Sequence, residues 1–286
     1  MNDRNRNLAV RVITALALVP PVLWVIYVGG LLSGVMFGLV SAACASEYFL
    51  IVFKRVTVVG WVVTAGALLM PLLPMLAPSN DASSLSNNAW ALAFYVVGGI
   101  FLFAWTFHLV RGPLTDAPTY AAHALTALVF GGLGLTAVSA LRVIPGRGLA
   151  WVIAVLVITW ANDSMAYFSG RLFGRHKLYP EVSPNKTWEG FFGGMGGSLI
   201  GMFVLKLAFF PFLTVPDCVV VGLAGGILGP IGDLAESMLK RAYRVKDSGK
   251  IIPGHGGVLD RIDALLFNAP MVFSWVAFVR PLVVGG

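Results

Sequence analysis

Charge and cysteine are what this sequence has least of. Only 12% of its 286 residues are charged, against about a quarter in a typical soluble domain, so an ordinary soluble globular protein is excluded. The two cysteines, Cys44 and Cys218, share no C-x-x-C spacing, which excludes a disulfide scaffold and a cysteine-rich zinc site. We predict that both are small core residues. No G-x-x-x-x-G-K-[ST] run occurs, which excludes a P-loop nucleotide site.

Hydrophobic residues are abundant instead, at 58% of the chain. A membrane-spanning helix needs about 20 mostly apolar residues. The sequence therefore predicts an all-α, polytopic membrane protein with about nine transmembrane helices. The predicted spans are Val10–Val28, Leu31–Phe53, Val56–Ala77, Trp90–Val110, Ala122–Leu141, Leu149–Ser169, Gly190–Phe212, Val219–Leu239 and Ile262–Val279.

The first span follows three arginines and could be read as a signal peptide. It contains Pro20, Pro21 and Trp24, however, and lacks an A-x-A cleavage site. We therefore predict an uncleaved first helix.

The basic residues predict the orientation of the chain. With nine spans and a cytoplasmic N-terminus, 16 of the 20 Lys and Arg residues fall on the cytoplasmic side, as the positive-inside rule requires. The exceptions are Arg142, Arg147, Lys206 and Arg280. We expect a bacterial inner-membrane protein with an external C-terminus. The net charge of +7 suits anionic lipid headgroups and phosphorylated substrates on the cytoplasmic face, and no nucleic-acid partner is predicted.

The chain divides by chemistry into two predicted regions. Residues 1–150 carry about five helices and little chemistry, so they are expected to form a scaffold facing lipid. Glu47 is the exception, and its position beside Lys54 and Arg55 favours an interfacial ion pair. The isolated His108 and His123 are not predicted to be ligands. Residues 151–286 carry about four helices and the predicted catalytic site, which faces the cytoplasm.

The first charged cluster of the second region is WANDSMAYFSGRLFGRHKL. Asn162 and Asp163 lie inside the apolar sixth span, where a carboxylate is costly and usually marks a functional site. A structural ion pair is the alternative.

The second cluster is SPNKTWEG, which precedes a glycine-rich helix. Pro184 makes the loop rigid, Asn185 and Thr187 supply hydrogen-bonding groups, and Lys186 supplies a cation that can meet phosphate. The alternative is a simple helix start that is capped by Thr187. The glycines of GFFGGMGGSLIG form overlapping small-xxx-small repeats, which predict packing seams between helices.

The third cluster joins two helix ends. On a helix, Asp233, Glu236 and Lys240 lie on one face, while Asp260 and Asp263 are three residues apart at the head of the ninth span. Two helices can therefore aim carboxylates at one point. Oxygen ligands without Cys or His partners favour Mg²⁺, one ion or a pair of cations, with substrate phosphates completing the shell.

Between these carboxylates, the sequence reads KRAYRVKDSGKIIPGHGGVLDRID. The proline of PGHGG makes the start of this segment rigid, and its glycines allow the backbone to approach a ligand closely. His255 lies at the centre of the segment. Basic residues that can neutralise polyphosphate surround it: Lys240, Arg241, Lys246, Lys250 and Arg261. Taken singly, such residues can also be topology signals or partners in interfacial salt bridges.

The run from Ser237 to Asp263 resembles the signature of the phosphatidate cytidylyltransferase family, the CDP-diacylglycerol synthases. NDSMAYFSGRLFG and SPNKTWEG are also similar to family segments, so the resemblance covers roughly Trp160 to Asp263. It implies a multi-helix membrane enzyme, often a homodimer, that condenses CTP with phosphatidic acid to give CDP-diacylglycerol and pyrophosphate.

The resemblance also implies roles for particular residues. Asp233 and Asp260 fall at metal-binding positions, with Asp263 close by. We therefore predict Asp233, Asp260 and Asp263 as metal ligands and, together with Lys240, as catalytic residues. The predicted substrate-binding residues are Asn162, Asp163, Ser183, Asn185, Lys186, Thr187, Ser237, Arg241, Lys246, Asp247, His255 and Arg261.

The implied reaction needs no Ser or Cys nucleophile, because phosphatidic acid already carries an ionised phosphate. Two other functions stay open at this stage. A CTP-using polyprenol or dolichol kinase would share a polyanion site, and a transporter would use intramembrane carboxylates for ion coupling.

Overall fold

The computed structural model describes residues 3–76 and 82–284, and most of them are helical. Within these ranges, eight helices are long and apolar enough to cross a membrane, and Val12–Val28 is a shorter apolar helix. Each of the nine predicted spans therefore has a helical counterpart. The predicted class, an all-α polytopic membrane protein, is confirmed.

Twelve α-helices lie within the described residues. They are α1 (Asp3–Val28), α2 (Gly30–Phe53), α3 (Val58–Leu69), α4 (Leu73–Leu76), α5 (Ala82–Arg111), α6 (Ala117–Ala127), α7 (Gly134–Arg142), α8 (Gly148–Phe173), α9 (Trp188–Val204), α10 (Val215–Ala242), α11 (Leu259–Ser274) and α12 (Arg280–Val284). Two short strands, β1 (Lys177–Tyr179) and β2 (Ser183–Thr187), lie between α8 and α9.

Several spans contain a segment of tighter or wider helix. A 3₁₀ turn, Met70–Leu72, joins α3 to α4. Wider π-helical turns, Leu128–Leu133, Leu205–Phe209 and Trp275–Val279, follow α6, α9 and α11. The polar stretch Pro78–Asn88 separates the third and fourth predicted spans; α5 already begins within it, at Ala82, and residues 77–81 lie outside the described residues.

The chain separates into two compact units. The first contains Met1–Pro145 and Tyr243–Ile262, and the second contains Gly146–Ala242 and Asp263–Gly286. Most of the polar stretch between α10 and α11 thus belongs with the N-terminal helices. The predicted metal ligands are divided, since Asp260 belongs to the first unit whereas Asp233 and Asp263 belong to the second.

In the first unit, α2 is the central helix. Ser41 donates a hydrogen bond to the Gly131 carbonyl at 3.0 Å, which ties α2 to the π-helical turn after α6. His123 lies between two tyrosines, with Nδ1 2.8 Å from the Tyr48 hydroxyl and Nε2 3.1 Å from the Tyr243 hydroxyl. Both of its ring nitrogens are therefore engaged by tyrosines of the same unit.

In the second unit, α9 packs on α8 through its glycines. A Cβ at Gly190 would come within 3.0 Å of the Ala166 carbonyl, and one at Gly194 within 3.0 Å of the Asn162 carbonyl. On α10, a Cβ at Gly226 would lie 2.6 Å from the Met195 backbone of α9. The predicted small-residue packing seams are therefore confirmed, because only glycine allows these backbones to approach so closely. Cys44 and Cys218 are both buried, as expected.

Candidate active site

The SPNKT segment forms strand β2 of a small hairpin. Lys177 pairs with Thr187 and Tyr179 pairs with Ser183 in antiparallel register. At the end of the hairpin, the Thr187 hydroxyl accepts a hydrogen bond from the Gly190 N–H at 3.1 Å and so caps α9. The capping alternative is thus confirmed for Thr187. The strand pairing was not predicted, because a five-residue run containing proline gives no alternating pattern.

A cavity of about 620 Å³ opens in the second unit, a volume typical of small-molecule sites. Three segments that were predicted separately meet around it. Its lining includes Asn162, Asp163, Asn185, Lys186, Thr187 and Asp233, all of which were predicted site residues. Ser183 lies on the same hairpin, half-buried, but does not line the cavity.

An ion pair occupies one side of this cavity. The Lys186 ammonium lies 2.7 Å from Asp233 Oδ2 and 3.4 Å from the Pro230 carbonyl. The Ser237 hydroxyl donates to Asp233 Oδ1 at 3.3 Å, so both carboxylate oxygens have partners. The carboxyl groups of Asp163 and Asp263 lie near enough to interact electrostatically with Asp233 and Lys186. The cavity lining therefore combines two carboxylates, Asp163 and Asp233, with a lysine, and Asp263 lies nearby.

Asn162 and Asp163 play different parts although they are adjacent. Asn162 is buried and donates to the Gly226 carbonyl of α10 at 3.2 Å, so its amide holds two helices together. Asp163 is exposed along the cavity. Within the described residues no salt bridge joins Asp163 to a basic side chain, and its part in the site stays a prediction.

Sequence reasoning missed two residues that line the cavity. Tyr167 and Arg171 follow Asp163 at spacings of four and eight on α8, and Arg171 donates to the Tyr167 hydroxyl at 2.9 Å. The signal was present in the sequence, since residues four apart share a helix face. Arg171 adds a second cation to the lining.

Lys240 and Arg241 lie at the end of α10. Lys240 is buried and forms an ion pair with Glu236 at 2.6 Å, one helical turn earlier, so the predicted shared face is confirmed for these two residues. Arg241 is exposed, with Nε 3.4 Å from the Val182 carbonyl.

In the first unit, the PGHGG stretch forms a tight turn. His255 N–H donates to the Ile252 carbonyl at 3.0 Å, and Ile252 pairs with Gly256 across the turn. Gly254 and Gly256 have φ values of 74° and 83°, a region that favours glycine. His255 is half-buried, whereas Lys246, Asp247 and Arg261 are exposed.

Asp260 stands in the first turn of α11 and closes this loop. Its Oδ2 accepts hydrogen bonds from the Ser248 N–H at 2.9 Å, the Ser248 hydroxyl at 3.0 Å and the Gly257 N–H at 2.9 Å. A Cβ at Gly256 would lie 2.7 Å from the same oxygen. Asp260 therefore fixes the shape of the signature segment, a role that its sequence position did not reveal.

Glu47 gives a correction. The expected ion pair with Lys54 or Arg55 is wrong: no such pair occurs among the described residues, and the Lys54 ammonium instead donates to the Ile51 and Tyr243 carbonyls. The Glu47 carboxylate is buried and accepts hydrogen bonds from residues 248, 258 and 259. Proximity in sequence to Lys54 was misleading because the carboxylate meets groups from a distant part of the chain instead.

The donor set is compatible with a magnesium ion. In the described part of the chain, no three His, Cys, Asp or Glu side chains gather into a metal-binding cluster of their own. Mg²⁺ usually needs only one or two carboxylates, with water and substrate phosphates as the other ligands. Asp233 and Asp163, which line the cavity, supply such oxygen ligands.

These observations define an integral membrane protein with a polar, cation-bearing cavity among its helices. The chain belongs to the cytidylyltransferase family, whose sequence profile it matches over residues 9–279.

Several bacterial proteins named phosphatidate cytidylyltransferase are similar to this chain. The Brucella abortus protein is 33% identical over 288 residues, covering 96% of each chain. The Staphylococcus saprophyticus protein is 31% identical over 263 residues, 92% of this chain and 96% of that one. The Staphylococcus epidermidis protein is 40% identical over 152 residues, and this match spans only 57% of its length.

Proposed function

We propose that this protein is a phosphatidate cytidylyltransferase, which condenses CTP with phosphatidic acid to give CDP-diacylglycerol and pyrophosphate. The observation that carries the proposal is the cavity at which Lys186 and Arg171 meet Asp163 and Asp233. Cations suited to phosphate and carboxylates suited to a divalent ion are the two features that a polyphosphate reaction needs. The relatives named above support the same substrates.

In the proposed reaction, an oxygen of the phosphatidate phosphate attacks the α-phosphorus of CTP. The new P–O bond forms as the bond from the α-phosphorus to the bridging oxygen breaks, and that oxygen leaves with pyrophosphate. No covalent enzyme intermediate is needed. The barrier arises from bringing two anions together and from the charge that builds on the leaving group, so positioning and electrostatics supply the catalysis.

The chain's own residues supply the cationic side of this arrangement. Lys186 and Arg171 would hold phosphate oxygens at the cavity, and Lys240, Arg241, Lys246 and Arg261 would neutralise further phosphate charge. Asn185, Ser237, Asp247 and His255 remain proposed substrate-binding residues. Asp233 and Asp263 would hold Mg²⁺, which would neutralise phosphate charge when bound. Asp260 remains a proposed metal ligand on the strength of the family resemblance.

The aromatic residues beside the cavity favour a lipid substrate. Trp188 and Phe192 are exposed at the start of α9, with ring centroids 6.0 Å apart and an interplanar angle of 29°. Tryptophan is enriched at the headgroup level of membranes. Lys186 precedes Trp188 by two residues, so a diacyl substrate could stay in the bilayer while its headgroup meets CTP.

A direct assay separates this function from the alternatives. We expect purified protein in mixed micelles to release pyrophosphate from CTP only when phosphatidic acid is present, and to form CDP-diacylglycerol in equal amount. A polyprenol kinase would release CDP, and a transporter would release neither product. Absence of lipid-dependent pyrophosphate would exclude the proposal.

Replacing Lys186 by alanine should weaken substrate use. We expect kcat/KM to fall by roughly ten- to a hundredfold, because a charged partner of phosphate is lost. Stability should change little, since the pair with Asp233 is partly exposed and such pairs contribute about 0–1 kcal/mol.

Lys177→Ala is the matched control for this change, because Lys177 is exposed on the same hairpin outside the cavity lining. It should behave as wild type. Arg241→Ala should lower kcat/KM as well. Wild-type kinetics for both substrates in Lys186→Ala and Arg241→Ala would contradict the assignment.

The membrane orientation is also testable. We propose a bacterial inner-membrane protein with a cytoplasmic N-terminus, a cytoplasmic active site and an external C-terminus, because of the basic residues on one side. A C-terminal tag should be cleaved by protease added to right-side-out vesicles. Protection of that tag, in vesicles whose other external loops are cut, would contradict this topology.

A further inference from the structure

We propose that Glu47 is a positioning residue for the reaction. From α2, it holds the signature segment, residues 248–259, in the shape that presents Asp260. This inference rests on the proposed function for its effect on turnover. The contacts on which it depends lie entirely within the first unit.

Among the described residues, the hydrogen bonds to the Glu47 carboxylate all come from groups that lie more than 200 positions later in the chain. Its Oε2 accepts from the Leu259 N–H at 2.9 Å and lies 3.0 Å from the Ser248 hydroxyl, whose single proton is shared between Glu47 and Asp260. Its Oε1 accepts from the Val258 N–H at 2.9 Å. The side chain is 1% exposed, so these donors replace the water that an ionised carboxylate would otherwise bind.

Two of these donors belong to the start of α11. The first backbone N–H groups of a helix have no partner within it, and an anion near them is favourable. Glu47 therefore caps α11 from another helix. Loss of the carboxylate would release the turn in which Asp260 stands.

Two signature glycines are explained by the same side chain. The three atoms nearest to a Cβ built on Gly249 all belong to the Glu47 carboxyl group and its Cγ. A Cβ on Gly257 would likewise overlap Ser248 and Glu47. A residue outside the signature thus requires glycine at two positions within it.

Ser248 links Glu47 to Asp260. Its hydroxyl lies 3.0 Å from Glu47 Oε2 and 3.0 Å from Asp260 Oδ2, and Asp260 also binds the Gly257 N–H. Glu47 and Asp260 therefore both form hydrogen bonds with the same loop. A change in the position of Glu47 must shift the loop that orients Asp260.

The first experiment replaces Glu47 by glutamine. The amide nitrogen cannot accept a hydrogen bond, so at either oxygen position it would face a backbone N–H of Val258 or Leu259. We expect kcat to fall at least tenfold with a smaller change in KM, and hydrogen exchange in peptides covering residues 246–260 to accelerate at least tenfold.

Ser41→Ala is the matched control. Ser41 is fully buried on the same helix and donates a hydrogen bond to the Gly131 carbonyl, and no hydrogen bond joins it to the signature segment among the described residues. It should lower the melting temperature without changing exchange in residues 246–260, and kcat of the folded protein should stay within about twofold of wild type.

A double-mutant cycle tests the contact even if glutamine disturbs folding. Gly249→Ala alone should lower kcat, because the new methyl group meets Glu47. Glu47→Asp shortens the side chain and makes room for that methyl group. We expect the double variant to be several-fold more active than the product of the two single effects predicts.

The outcomes are separable. Glu47→Gln with wild-type exchange and wild-type kcat, or strict additivity in the cycle, would overturn the positioning role. A wild-type protein that makes no CDP-diacylglycerol would instead overturn the proposed function, and the exchange measurement would still decide whether Glu47 anchors the loop.

Discussion

Asp233→Asn should lower turnover by about a hundredfold or more, which corresponds to about 3 kcal/mol of lost transition-state stabilisation. Asparagine keeps the size of the side chain but removes the charge that faces Lys186 at 2.7 Å in the cavity. It also removes an oxygen ligand for a divalent ion, so the Mg²⁺ concentration for half-maximal activity should rise. Stability should change little because Asp233 is 39% exposed.

Asp217 offers a matched control on the same helix. This carboxylate is fully buried at the start of α10, where it pairs with Arg280 at 3.0 Å and accepts from the Trp275 indole at 2.8 Å. Removing one partner of a buried pair costs about 3–5 kcal/mol. Asp217→Asn should therefore lower the melting temperature, with near-normal turnover in the fraction that stays folded. The reverse pattern in the two variants would make Asp233 a structural residue.

Asp260→Asn should also lower turnover by about a hundredfold or more, for the loss of a charged oxygen ligand. The amide of asparagine can keep one oxygen toward Ser248 and Gly257, so the loop should remain folded. Measuring kcat, Mg²⁺ dependence and melting temperature on the same preparation tests both statements.

Ser248→Ala separates the two roles of Asp260. It removes the hydroxyl's contacts with Asp260 and Glu47, both at 3.0 Å, but keeps the two backbone N–H bonds to Oδ2, so turnover should fall less than in Asp260→Asn. Equal losses in both variants, without a change in Mg²⁺ dependence, would show that Asp260 acts only by shaping the loop. If the Asp260→Asn and Asp233→Asn variants are well folded and keep full activity in the presence of a chelator, the metal hypothesis is contradicted. Asp263→Asn tests the third proposed ligand in the same way.

Features that depend on a short stretch of sequence, such as the membrane spans and the glycine seam, could be predicted from the sequence. A helix that crosses a membrane must be long and apolar, so hydropathy alone finds each span. Asp163 stood out for the same reason, since a carboxylate within an apolar run has few explanations other than a site. The glycine seam of α9 also follows from spacing, because small residues four apart lie on one face.

Contacts between distant parts of the chain could not be predicted. Nothing near Glu47 indicates that its partners are Ser248, Val258 and Leu259, since a single sequence carries no record of which residues meet after folding. The same limit applies to Asp260, whose hydrogen bonds to its own loop depend on the left-handed turn at Gly254 and Gly256. Tyr167 and Arg171 were within reach of helical spacing, but a tyrosine and an arginine near a helix end are too common to single out.

The glycine seam between α8 and α9 has a consequence for selectivity. Asp163 stands on α8, whose backbone contacts that of α9, and Lys186 stands on the strand that leads directly into α9, so little chain entropy remains to be lost when a ligand enters. This side of the cavity cannot widen to admit a larger group, because glycines form the contact between α8 and α9 and leave no side chains there to rearrange. The cavity should therefore discriminate among headgroups by size, admitting a bare phosphomonoester and rejecting one that carries a bulky alcohol.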